Sequence, residues 1–219
     1  VNVGVISQQD MDGGKLTVTA NGTNFNVTSK DVTFTGRYDA NHNSSNAGAQ
    51  KMDFSIDATR FYAAMKLVGG HAITVNSDID YKGTGSLYNK WLFHTDGHNN
   101  FGDSTWVLKS NVNMDGNNLI MYTSQYHGSG NYNIGFLNDG GTITTSSTGS
   151  NNYIWLPVAA DNWGGFRIMM FENKGTISLN GTKDTLSFFG SEGDDDAGGI
   201  TFINNGTLEL NGEENKGII

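Results

Sequence analysis

The side chains best able to do chemistry in this chain are its carboxylates, two spaced histidines, one serine in an acidic turn, and its aromatic rings. Asp78 and Asp80 lie in a strand-like stretch, with Asp57 in another. Period-2 geometry puts Asp78 and Asp80 on one face, about 7 Å apart. That spacing suits the acid and base of an inverting glycoside hydrolase. A chain with 17 Asp also reaches it by chance, and catalysis is not the expectation. Gly102-Asp103-Ser104-Thr105 has the outline of a Gly-Asp-Ser-Gly nucleophile turn. Thr105 stands where the second Gly would shape the oxyanion hole, and the upstream chain is too short for the two barrels that such a triad needs. A turn feeding the Trp106-Val-Leu strand is the plainer reading.

His94 and His98, with Asp96 between them, would share a metal only on one helical face. His94-Thr-Asp-Gly-His-Asn-Asn reads as a loop by composition, so no metal pair is expected. Asp194, Asp195 and Asp196, beside Glu192, are the weak calcium candidates, since carboxylate oxygens suit that ion. The Gly-Gly-x-Gly-x-Asp nonapeptide of calcium-binding rolls is absent, and a solvated loop is expected there. No cofactor and no metal is expected. The binding candidates are aromatic: Trp91, Trp106, Trp155 and Trp163, with Tyr122, Tyr126, Tyr132 and Tyr153. Tyr153, Trp155 and Trp163 flank the only proline, Pro157, in a stretch that interrupts the regular pattern. They are the candidate ligand-binding residues, as rings on a protruding loop. The alternative is that these rings fill or cap the core.

The elements that must position such groups follow from composition. Gly (30), Asn (27), Thr (21) and Ser (17) make up 43% of the 219 residues, and all four are weak helix formers. The 36% of hydrophobic residues is enough for a core and argues against disorder. There is no cysteine for a covalent framework. The net charge of −9 repels phosphate backbones and anionic headgroups, so nucleic acid is not an expected partner. No apolar run reaches the roughly 18–20 residues of a membrane helix.

Three Gly-Thr pairs align: Gly141-Thr142, Gly175-Thr176 and Gly206-Thr207. Leu137, Phe171 and Phe202 precede each Gly by four; Asp139, Asn173 and Asn204 precede it by two. Ile143, Ile177 and Leu208 follow by two, and the last two copies run into Asn180-Gly181 and Asn211-Gly212. Period 2 points Phe, Ile and Leu to one side, and Asn-Gly closes each short strand through cheap left-handed angles. One such strand cannot bury its apolar side alone, so copies must stack about 4.8 Å apart. The fold class is therefore all-β, a parallel β-helix with Asn ladders between coils. Further strands are expected at Leu16–Ala20, Val32–Phe34, Phe54–Ile56, Ile73–Val75, Val107–Leu108 and Leu119–Tyr122. The stretch 59–68 is open between one helix and two strands. At roughly 25 residues per coil, eight to nine coils are expected.

Asn204-Asn-Gly-Thr-Leu-Glu-Leu-Asn-Gly212-Glu-Glu-Asn-Lys-Gly217-Ile-Ile219 resembles the passenger repeat of bacterial autotransporters, in particular the large fusobacterial outer-membrane adhesins. Phe171 to Gly181 is a second copy. The resemblance covers residues 165–219 closely and residues 1–164 only in texture. It implies one right-handed parallel β-helix passenger fragment, 1–219, with irregular or capping coils over 1–164 and regular repeats over 165–219. It also implies a place on the outer face of the bacterial cell, anchored by a C-terminal outer-membrane barrel that this sequence does not contain. The two final isoleucines make a poor cap, so the solenoid is expected to continue past Ile219.

The expected function is attachment without catalysis: a monomeric adhesin passenger that binds a host or partner-bacterium surface protein or glycan. A polysaccharide-cleaving β-helix enzyme and a structural stalk spacer are the alternatives.

Overall fold

The computed structural model describes residues 2–5, 15–21, 24–30, 34–35, 52–55, 63–68, 72–76, 78–85, 91–98, 104–128, 132–157, 161–162, 167–187 and 200–217. All regular structure among them is strand, arranged in three sheets. The first sheet holds β4 (Phe34–Thr35), β7 (Ala72–Val75), β10 (Ser104–Leu108), β13 (Tyr132–Asn138), β17 (Arg167–Asn173) and β20 (Ile200–Asn204). The second holds β3 (Asn24–Lys30), β2 (Lys15–Asn21), β8 (Ile79–Thr84), β11 (Val112–Asn117), β14 (Thr142–Thr145), β18 (Thr176–Leu179) and β21 (Thr207–Leu210). The third runs from β1 (Asn2–Val5) and β5 (Met52–Ser55) through β6 (Ala63–Val68), β9 (Trp91–His98) and β12 (Ile120–Gly128). It continues through β15 (Tyr153–Trp155) and β19 (Thr185–Leu186) to β22 (Lys216–Gly217). A short strand, β16 (Asp161–Asn162), also pairs with β12.

From β7 onward the chain visits the first, second and third sheets in turn, five times over, and every new strand lies parallel to its predecessor. This is a parallel β-helix. Ile73, Trp106, Phe136, Phe171 and Phe202 stand in one register column, so a coil takes 30 to 35 residues. The coils are thus longer and fewer than the 25-residue expectation, because each holds three strands and three corners. At the other end the pattern changes. β2 and β6 add one more parallel strand each, and β1, β3, β4 and β5 then pair antiparallel. Within the open stretch 59–68, residues 63–68 are strand, paired with β9; the helix-forming Ala, Met and Leu there yield to that pairing.

The strand alternation decides what is inside. Ile79, Val112, Ile143, Ile177 and Leu208 form an inward column of the second sheet. The first four are at most 1% exposed. The largest fully buried side chains are rings. Phe171 lies 5.1 Å from Phe136, 5.7 Å from Trp155, 5.8 Å from Phe202 and 6.1 Å from Tyr122, centroid to centroid. Burial pushes the phenols of Tyr81 and Tyr122 well above the ordinary value, offset in part by the Ile120 backbone and by the Thr95 and Ser124 hydroxyls respectively. Folding therefore favours the neutral phenols. That contribution is complete below the ordinary phenol value of about 10 and is lost as pH rises above it. An alkaline titration followed by phenolate absorbance is expected to leave these two of the eight tyrosines unionised until the chain unfolds.

The corners show why Asn and Gly recur. At the first corner Asn138 donates to Asn173 Oδ1 at 2.8 Å, and Asn173 donates to Asn204 Oδ1 at 2.8 Å. The expected amide ladder is therefore present, with one correction to its register. Asn138, not Asp139, stands above Asn173, and Phe136, not Leu137, stands above Phe171. The first copy carries one extra residue between its Asn and its Gly-Thr pair, and Gly140 there has φ +92°. At the next corner the side-chain oxygens of Asn152, Asp184 and Asn215 accept from the backbone N–H of Leu119, Asn152 and Asp184.

The left-handed angles expected at the Asn-Gly turns fall elsewhere among the described residues. They belong to Asn118, Asn151, Lys183 and Glu214, once per coil, with φ between 54° and 59°. Asn tolerates this region, whereas Lys and Glu are strained there by about 1 kcal/mol. Lys183→Gly is expected to raise stability by about 0.5–1 kcal/mol in denaturant unfolding, because the exposed Lys183–Glu214 pair it removes contributes little.

Candidate functional site

The aromatic candidates divide by burial. Trp155 is wholly enclosed, and its Nε1 donates to Ser124 Oγ at 3.2 Å. It fills the core, and an indole held there has no face to offer a surface ligand. Tyr153 is half-buried and packs with Leu156 against Trp91 and Ile120, in a small cluster separate from the main core. Trp91, Trp106 and Tyr122 are buried as well. Trp163 lies outside the described residues, as do Asp57, Asp103, Asp194, Asp195 and Asp196. The proline stretch does interrupt the regular pattern: β15 ends at Trp155, and β16 resumes pairing with β12 at Asp161. Pro157 sits in that gap, where its missing N–H does the sheet no harm.

His94 is in strand β9 rather than a loop, buried and stacked 4.9 Å from Trp91. His98 ends the same strand, four extended residues away, which is about 13 Å and too far to share an ion. Asp78 precedes β8, where its Oδ1 accepts from the Asn111 N–H at 2.9 Å. Asp80 points outward from β8 and pairs with Lys82 at 3.8 Å. Each carboxylate thus already has a partner, which weakens their reading as an acid–base pair.

The structure brings together a different set of residues, on the outer face of the second sheet. The same alternation that buries Val112 and Met114 turns Asn113 and Asp115 outward from β11. Asn113 lies in register with Asp80 on one side and Thr144 on the other, and the column runs on through Ser178 and Glu209. Asp115 is in register with Lys82. Ser146 and Ser147 follow β14, Asn180 follows β18 and Asn211 follows β21. Together with Thr144 and Thr145 these residues line an open groove of about 560 Å³, crossing four coils. That volume is within the roughly 300–1,000 Å³ of small-ligand sites.

Hydrogen bonds fix one wall of this groove. Asn180 donates both amide protons, to Thr144 Oγ1 at 2.8 Å and the Thr145 carbonyl at 3.0 Å. Its oxygen accepts from Asn211 Nδ2 at 3.0 Å, with Ser178 Oγ 3.2 Å away. The single Ser178 proton goes to Glu209 Oε2, the shorter contact at 2.9 Å, and Ser178 Oγ accepts from Asn211 Nδ2 at 3.2 Å. The lining consists only of Asn, Asp, Ser and Thr, so it can exchange hydrogen bonds but offers no apolar anchor. Asn180 and Asn211 were visible in the sequence as the aligned Asn-Gly pairs. Asn113, Asp115 and Ser147 were not singled out, although alternation in Val112-Asn113-Met114-Asp115 is the signal that finds the first two.

No protein-family model, curated protein or solved structure matches the chain.

Proposed function

We propose that this chain is a non-catalytic attachment domain, an adhesin passenger of the autotransporter type that displays a rigid recognition face on the bacterial surface. The observation that carries this reading is the second sheet: apolar columns inside, and outside a polar face whose side chains are spaced by the coils themselves. Such a face needs no ordering on binding, which lowers the entropic cost of contact. The repeat over 165–219 supports the family and, with it, attachment to the outer membrane through a separate barrel. A host or neighbouring bacterial surface is the partner of this reading.

The test is binding of the whole chain to bacterial and epithelial cells. Saturable binding that is lost on substituting outward residues of the second sheet, with the fold retained, supports the role. Binding that never saturates, or that is unchanged by every such substitution, removes it. Trp155→Ala does not probe recognition, since that ring lies in the core.

A further inference from the structure

We infer that the groove on the second sheet binds a neutral, hydroxyl-rich glycan; this deepens the attachment reading above and rests on it. The groups that form the wall are occupied: the Asn180 amide donates both protons within the protein and its oxygen accepts from Asn211. Other groups in the lining are not. Among the described residues none takes up the Asn113 amide, the Asp115 carboxylate or the Ser147 hydroxyl, and Asp115 and Ser147 are exposed. The groove therefore combines a preset wall with a free, mixed set of donors and acceptors.

That set selects a chemistry. Asn113 and Asp115 alternate outward on β11, about 7 Å apart. A carboxylate only accepts hydrogen bonds, so Asp115 suits two adjacent hydroxyls that donate to it together. Asn113 offers both a donor and an acceptor, and Ser147 adds a hydroxyl that does either. A polyol presents this mixture at every ring. A peptide would want an apolar or aromatic pocket for its anchors, and the lining has none. Charge narrows the class further. Asp115 lies in the groove, Glu209 ends the column of Asn113, and the neighbouring Lys82 is paired with Asp80, on a chain of net charge −9. Sulfated, sialylated or uronic sugars would meet repulsion there. With hydrogen bonds and no stacking ring, affinity at one site is weak, about 1 mM, and attachment relies on many copies.

The experiment is saturation-transfer NMR on the whole chain. The probes are neutral hexose and N-acetylhexosamine oligosaccharides, with sialylated and sulfated counterparts. The inference expects transfer to at least one neutral sugar and none to the anionic ones, with no change on adding a chelator. Asp115→Ala is expected to weaken the neutral sugar about tenfold, and Asn113→Ala by several-fold. Thr176→Ala, outward on the same sheet but outside the groove, should leave it unchanged. Asp115→Asn keeps the shape and should admit anionic sugars, which guards against a variant that merely misfolds. Transfer to none of the neutral probes, equal transfer to anionic ones, or indifference to Asp115 overturns the glycan assignment. If the chain still binds cells in that case, the attachment reading stands. If it binds neutral sugars but no cells, attachment fails and the glycan site remains.

Discussion

Gly175→Ala is expected to destabilise the chain by about 3 kcal/mol or more. A methyl group on Gly175 would press into the carbonyl oxygen of Gly141, one coil above, and lie 2.9 Å from the Gly140 carbonyl carbon. Both obstacles are backbone atoms fixed by the stack, so no side chain can swing aside. Gly206 meets the Gly175 carbonyl in the same way, and Gly141 meets that of Ser110. A second column runs through Gly83, Gly116, Gly149, Gly181 and Gly212, where each of the last four approaches the carbonyl of the one before. These glycines exist for close coil-to-coil approach, whereas Gly140, at φ +92° with nothing nearby, exists for its backbone angle. Gly140→Ala should cost only the strain, about 1–2 kcal/mol. Urea unfolding of the two variants measures the difference; equal losses would mean that the coils are not packed this closely.

Phe171→Ala is expected to cost about 3–5 kcal/mol. The ring is wholly buried and touches Phe136, Tyr122, Trp155 and Phe202, so its removal opens a cavity between adjacent coils. The walls are held in sheets on all three sides and cannot collapse into the space. Because Trp155 borders this ring, its fluorescence should report the loss directly. A cost below about 1 kcal/mol would place Phe171 outside the core.

The parallel stack was legible because its signal is local and repeated. Gly-Thr-Ile and Gly-Thr-Leu mark successive strands of the second sheet, and the Asn before them forms the ladder. What failed to show was anything set by coil-to-coil geometry. The extra Gly140 displaced the alignment by one residue, exchanging Phe136 for Leu137. Aromatic coils such as those of Trp106 and Tyr122 share no simple motif with those of Phe171 and Phe202, although they occupy the same core. His94-Thr-Asp-Gly-His reads as a loop from its residues, yet β6 and β12 on either side draw it into a sheet. Trp155 shows the same limit: nothing in Tyr-Ile-Trp-Leu-Pro says which ring faces inward. The groove was half visible, through Asn180 and Asn211; Asn113 and Asp115 needed the register that brings β11 beside β14.

In-register stacking of the outer column Asp80, Asn113, Thr144, Ser178 and Glu209 underlies both the core and the groove. The chain has no cysteine, so pairs of spin labels can be placed along this column without background. Pulsed electron resonance on pairs joining position 80 to 144, 178 and 209 reads the column directly. Parallel coils give separations that grow by about 4.8 Å per step, near 10, 14 and 19 Å. Separations that fail to increase in that order would contradict the stacked coil, and with it the face proposed to do the binding.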